Sequence, residues 1–192
     1  MYYTWGYIKE NTLGKLNLTE EEANQQDFLS RFPYYANEAM TQICSAVRPN
    51  DKFYVVSITS DNVGTLISMP DDFIGFSDDA VRCVIQGVEF YAGDDVIEYY
   101  GYNQIICKSL GVYHIPYKAR WFFFTKDLHN ATVIPAPADI CDALPSYIAS
   151  QCLKIDDEAK AAIYRNEYEM FLARIDDTSF KTQRILQIGG GW

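Results

Sequence analysis

The sequence predicts an α+β protein in which amino- and carboxy-terminal segments form a helical bundle and an antiparallel β-domain, a meander or small barrel, is inserted between them. Three observations predict it. Apolar residues recur at intervals of three and four over residues 5–47 and again over residues 137–175. Between residues 52 and 125 the period changes to alternation, with β-branched and aromatic residues broken by glycine turns. The connections in that stretch, such as Gln86-Gly87 and Ser109-Leu110-Gly111, are too short for the crossovers that parallel strands need. The expected divisions are 1–51 for the first helices, 52–125 for the β-domain, 126–176 for the last helices and 177–192 for an extended arm.

Residues 5–16 read as a short helix with Trp5, Ile8, Leu13 and Leu16 on its apolar side, weakened by Gly6 and Gly14. Thr19 opens a second helix: Thr19-Glu20-Glu21-Glu22 matches a capping box and places three carboxylates at the positive end of the helix dipole. This helix is expected to run to about Val47. Pro33 lacks a backbone donor and crowds the carbonyl of Leu29, so a kink or break is expected at Arg31–Phe32, or a fresh helix start at Pro33. Pro49-Asn50-Asp51 marks the exit.

Candidate strands follow at 53–58, 65–68, 81–85, 88–91, 96–100, 104–108 and 112–121. In the last, Tyr113, Ile115, Tyr117, Ala119 and Trp121 point to one face and His114, Lys118 and Arg120 to the other. Pro116 cannot donate to a ladder, which predicts an edge position or a bulge there. Pro135, Pro137 and Asp139 then lead into two helices joined by an acidic turn. In the first, Ile140, Leu144, Tyr147, Ile148 and Cys152 recur at helical spacing. In the second, Ala159, Ile163, Met170 and Ile175 form a stripe that Tyr164, Tyr168, Phe171 and Leu172 widen beyond what one contact needs. Such a pair requires the amino-terminal helices or a second subunit as neighbours.

The net charge is -10, with 16 basic against 26 acidic residues, and the pI is about 4.6, which excludes a surface built to grip nucleic-acid phosphates. Cys44, Cys83, Cys107, Cys141 and Cys152 fall at unrelated spacings and have only His114 and His129 to join them, so they read as buried free thiols of a reducing cytosol and not as a metal site. The acidic pairs (Asp71-Asp72, Asp78-Asp79, Asp94-Asp95, Asp156-Asp157, Asp176-Asp177) lack calcium-loop spacing and stand where turns and helix starts are expected. Gly189–Gly191 has no helix after it to aim amides at a phosphate. No nucleophile, metalloprotease or cysteine-protease motif surrounds either histidine, so no catalytic, metal or cofactor residue is assigned. Neither a signal peptide nor a run of the ~18 apolar residues of a membrane span is expected.

The order helix, helix, a β-insert opening near MPDDFIGFSDD and closing on GVYHIPYKARW, then LPSYIASQCL and DDEAKAAIYRNEYEMFLARI, resembles the head-tail connector (adaptor) proteins of tailed bacteriophages over nearly the whole chain. The resemblance implies a non-enzymatic virion protein, made in the bacterial host cytoplasm. It implies a helical body with an inserted β-domain, copies of which form a ring, usually a dodecamer, beneath the portal protein. That ring extends the DNA channel without binding DNA tightly and presents a surface to a tail or stopper protein. Tyr164, Tyr168, Phe171, Phe180, Ile185, Leu186, Ile188 and Trp192 are the expected contacts to neighbouring subunits or the portal, with Trp192 anchoring the arm. The alternative is a β-domain ligand-binding module with no virion role, in which Tyr99, Tyr100 and Tyr102 stack on a sugar or peptide.

Overall fold

The structure is a computed structural model that describes the backbone of residues 3–93 and 95–188, and side chains as far as Ile175. Helices at both ends flank a central β-region, as the periodicity predicts. The chain divides into two compact units, one of residues 1–48 with 121–192 and the other of residues 49–120.

The helical unit begins with α1 (Trp5–Leu16), capped by the Thr4 hydroxyl accepting from the amide of Tyr7. Gly6 proves to be a point of close approach more than a weakness. Its amide donates to the Asn130 carbonyl at 2.8 Å, that of Trp5 donates to Thr132, and a Cβ at position 6 would sit 3.0 Å from the same Asn130 oxygen. The loop therefore satisfies amides that the first turn leaves free. The reciprocal capping box of Thr19 and Glu22 starts α2 (Glu20–Gln25) as read from sequence. The break that follows lies earlier than expected. Asp27 takes the left-handed conformation (φ 57), which aspartate tolerates, and its carboxylate accepts from the Ser30 hydroxyl at 2.6 Å. From there α3 (Phe28–Ala46) continues through Pro33 without interruption, so neither a break at Arg31–Phe32 nor a helix start at Pro33 occurs.

The β-unit holds β1 (Asn50–Ile58), β2 (Leu66–Ser68), β3 (Phe73–Phe76), β4 (Arg82–Ile85), β5 (Val88–Tyr91), β6 (Ile97–Tyr100), β7 (Gln104–Cys107) and β8 (Gly111–Ala119). All pairings are antiparallel. The order is β1-β8-β4-β5 with β3 also on β8, and β2-β7-β6 in a second sheet. The strands thus form two open sheets in which the first and last strands pair along their whole length, from Asn50 opposite Ala119 to Ile58 opposite Gly111, instead of a consecutive meander or a closed barrel. Gln86 and Gly87, both at positive φ, make the tight turn between β4 and β5. Ile97, Ile105, Tyr113, Ile115 and Tyr117 lie at the centre of this unit's core.

Pro116 does not lie on an edge strand, because β8 pairs with β1 on one side and with β3 and β4 on the other. Its ladder side faces the gap between those two: β3 ends opposite Tyr117, β4 begins opposite His114, and the Pro116 carbonyl accepts from Ser77. The missing N–H falls where no strand asks for it.

In the helical unit α4 (Ala138–Leu153) is apolar almost all round and buried against α1, α3 and the long α5 (Glu158–Ile188). The amino-terminal helices are thus the neighbours that the α4 and α5 pair requires. The extended arm expected from residue 177 is replaced by helix: α5 continues to Ile188, since residues 177–188 contain no glycine or proline to stop it.

One position tests this packing. Gly111 opens β8 at φ 151, and an added Cβ would lie 2.9 Å from Cys83 Sγ and 3.0 Å from the Val84 carbonyl oxygen, whereas Gly75 has open space around it. Gly111→Ala is expected to destabilise the protein by ~1–3 kcal/mol in thermal or urea unfolding, and Gly75→Ala to change it by no more than ~0.5 kcal/mol.

Candidate functional site

All five cysteines are buried, and burial pushes the thiols of Cys107 up to about 11 and of Cys141 and Cys152 to about 12, which keeps them protonated and unreactive. The two histidines lie in different units. His129 Nδ1 accepts the amide of Ala131, and His114 stands in register with Val55 on one side and Arg82 on the other.

Of the acidic pairs, Asp72, Asp78, Asp79 and Asp157 make local contacts. Asp157 caps α5 by accepting the amide of Lys160, which holds its carboxyl below the usual range. Asp72 accepts from Lys52 at 2.6 Å and from the Tyr117 hydroxyl at 3.0 Å, tying β1 and β8 to the turn before β3. Asp78 and Asp79 lie near Lys118 and Ser77. Asp94 and the side chains of Asp176 and Asp177 lie outside the described residues. Among the described residues no three metal-ligating side chains converge, and no helix is long and apolar enough to cross a membrane.

Of the three tyrosines of the binding-module alternative, Tyr99 and Tyr102 join one row of rings through Phe76 and Phe73. Tyr99 and Tyr100 alternate to opposite faces of β6. Tyr99 packs edge-on against Phe76 with centroids 4.6 Å apart, and Tyr102 donates its hydroxyl to the Ile74 carbonyl.

What remains is α5, whose two sides differ. Ala161, Tyr168 and Ile175 are buried, and Tyr164, Arg165, Phe171 and Leu172 are half-buried along the same face. Tyr164 donates to the carbonyl of Lys15, Tyr168 donates to that of Ala39, and the Tyr168 ring meets Tyr147 at 4.9 Å with Arg165 stacked 5.3 Å over each. Tyr168, expected as a subunit contact, is therefore wholly taken up by its own unit, and Tyr164 and Phe171 in large part. Phe180, Ile185, Leu186 and Ile188 fall on the helical continuation of α5, and Trp192 lies outside the described residues.

The opposite face carries Ala159, Ile163 and Met170, and the exposed Ile155 stands in the turn before the helix. Ile163 is 62% exposed and Met170 60%, although both read from sequence as part of the core stripe. The signal for the inversion is the hydroxyl on each inner tyrosine. A buried phenol needs an acceptor, and the backbone carbonyls of α1 and α3 supply them. Beside this face a shallow groove of about 430 Å³ runs between α4 and α5, lined by residues including Gln151, Lys154, Ala162 and Arg165. No protein-family model and no curated protein matches the chain. The outward face of α5 is one apolar surface that its own unit leaves uncovered.

The Asp72 network yields a pH prediction. Burial first, then the adjoining carboxylate, pushes Tyr117 from its ordinary 10.0 to about 12, so the fold holds the protonated phenol. Its stabilising contribution is complete below pH 10 and is lost as pH rises towards 12. Alkaline unfolding followed by tyrosinate absorbance and circular dichroism is expected to be shallower in Tyr117→Phe than in the parent chain over that window.

Proposed function

We propose that this chain is a structural subunit of the head-tail connector (adaptor) type, a virion protein whose copies form a ring, a dodecamer in most such assemblies, beneath the portal. The ring extends the DNA channel and offers a docking surface to a tail or stopper protein. No catalytic step is assigned to it.

The observation that carries this reading is the second apolar face of α5. A helix that already supplies a core through Tyr168 and Ile175 has no need, within its own unit, of Ile163 and Met170 on the other side. Exposed apolar surface on a helix is used when another surface covers it. Two further features support the reading. Helices from both ends of the chain flank an inserted antiparallel region, the arrangement the resemblance implies. The charge of -10 repels DNA, which suits a wall past which DNA must move without sticking. The far end of α5, with Phe180, Ile185, Leu186 and Ile188, continues the same helix and is assigned to the same neighbour or to the portal, as a helical extension.

The test is the double variant Ile163→Lys with Met170→Lys, expressed with the portal protein of its own genome. Both positions are exposed, so unfolding of the isolated subunit is expected to stay within ~0.5 kcal/mol of the parent. Incorporation into portal rings is expected to be lost, as read by co-sedimentation and electron microscopy. Normal incorporation of the variant would remove the α5 face from the argument. A salt-sensitive, submicromolar affinity of the free protein for duplex DNA would overturn the channel role itself.

A further inference from the structure

The β-unit carries a second kind of unused surface. Its larger sheet ends on β1 at one side and β5 at the other. Both edges are apolar: Phe53 and Val55 on β1, and Val88 and Phe90 on β5, are each a little over half exposed. Exposed edges of this kind are templates for another strand, and proteins ordinarily blunt them.

The hydrogen-bond parity of the sheet can be worked out from Pro116. Its carbonyl is taken by Ser77, on the side of β8 away from β1, so the even positions of β8 face β3 and β4 and the odd positions face β1. In β1 the even residues therefore bond to β8, and the backbone groups of Asp51, Phe53, Val55 and Ser57 point out of the sheet. The Ser57 carbonyl confirms this parity, because it is capped by the side-chain amide of Asn62 at 3.1 Å. The same alternation carried through β4 leaves Glu89 and Tyr91 as the outward-bonding residues of β5.

We propose that β1 of one copy pairs with β5 of a second copy, head to tail, so that the sheet continues from subunit to subunit. Four features of the two edges agree on this. Strand direction alternates along β1-β8-β4-β5, so the continuation sets β5 antiparallel to β1. The outward-bonding residues of both edges lie on the same face of the sheet, so the core-facing sides align across the junction. The Asn62 cap occupies Ser57 and rules out the register that would set Ser57 opposite Glu89. Of the registers left, the one placing Phe53 opposite Tyr91 and Val55 opposite Glu89 gives both outward residues of β5 an apolar partner. That register sets Tyr54 against Phe90 and Val56 against Val88 on the core-facing side, giving Val88 and Phe90 the cover that their own sheet does not supply.

The area says which assembly this serves. An aromatic side chain buries ~150–250 Å², so the exposed parts of these residues amount to a few hundred Å². A stable pair needs roughly 1,200–2,000 Å². One junction is too small to hold a dimer, but two different edges on one subunit make an unsatisfied chain of contacts that only a closed ring completes. The junction goes beyond the virion reading and does not rest on it.

The test is an oxidative cross-link in the purified full-length chain. Tyr54→Cys with Phe90→Cys creates a facing, non-hydrogen-bonded pair across the junction, with Cα atoms ~4.5 Å apart. Within one subunit β1 and β5 are separated by β8 and β4, three spacings of ~4.8 Å, too far for a disulfide. At high protein concentration the double variant is expected to give a ladder of covalent multimers, and neither single variant any. Adding Val55→Pro, which removes only an outward amide, should abolish the ladder without touching the pairing to β8. In the parent chain, exchange of the Phe53 and Val55 amides should slow at least about tenfold between dilute and concentrated samples. A double variant that stays monomeric, dimers from Tyr54→Cys alone, or concentration-independent exchange would each overturn the junction. None of these outcomes bears on whether the protein joins a portal.

Discussion

The indole N–H of Trp121 donates to the carbonyl of Arg48 at 3.1 Å, across a separation of 73 positions. Closing so long a segment carries an entropic cost that grows only slowly with its length, so one bond at its neck, continued at once by the β1 and β8 ladder, is a sufficient clasp. The side chain of Arg48 meanwhile reaches Asp139 in the first turn of α4 at 3.0 Å. One residue thus uses its backbone to define where the insert closes and its guanidinium to hold the helix to which the chain returns. Register in β1 and β8 follows from this neck, and the other strands of the larger sheet are placed against β8.

Within the helical unit the governing choice is to bury tyrosine. Tyr147, Tyr164 and Tyr168 bring large apolar area to the joint between α5 and its neighbours, and each hydroxyl finds a partner: Gln42 and Glu38 for Tyr147, and backbone carbonyls for the other two. A phenol in such a place is stable only if its polar tip is met, and here it is met by groups that a helix already displays. Ile163 and Met170 are then left to face outwards. The same helix serves one surface through aromatic rings with polar tips and another through plain hydrocarbon.

What could be read from the sequence was whatever depends on local chemistry. The capping box of Thr19 and Glu22, the alternation in β8 and the turn at Gln86-Gly87 each contain their own cause within a few residues. β3 was missed because Phe73-Ile74-Gly75-Phe76 is short, holds a glycine and bulges against β8. The place of Pro116 in a central strand was not legible because the gap that accommodates it lies between two other strands. The break at Asp27 is not legible because a left-handed aspartate leaves little mark in sequence, whereas the nearby proline leaves a strong one. Ile163 and Met170 lie on the stripe that the sequence widens beyond one contact, and which side of it the subunit's own core takes is not legible there. Hydrophobicity predicts that such residues are covered, and cannot say by what.

The sealed cysteines have a consequence for the history of the molecule after synthesis. No two of the five thiols are joined, all are buried, and three of them are held well above the range in which thiolate chemistry begins. A chain built this way can pass from reducing to oxidising surroundings with its covalent structure unchanged, needing neither a reductant to preserve it nor an oxidant to complete it. Thiol modification then becomes a record of opening: a copy that reacts has, at that moment, come unfolded around the cysteine that reports it.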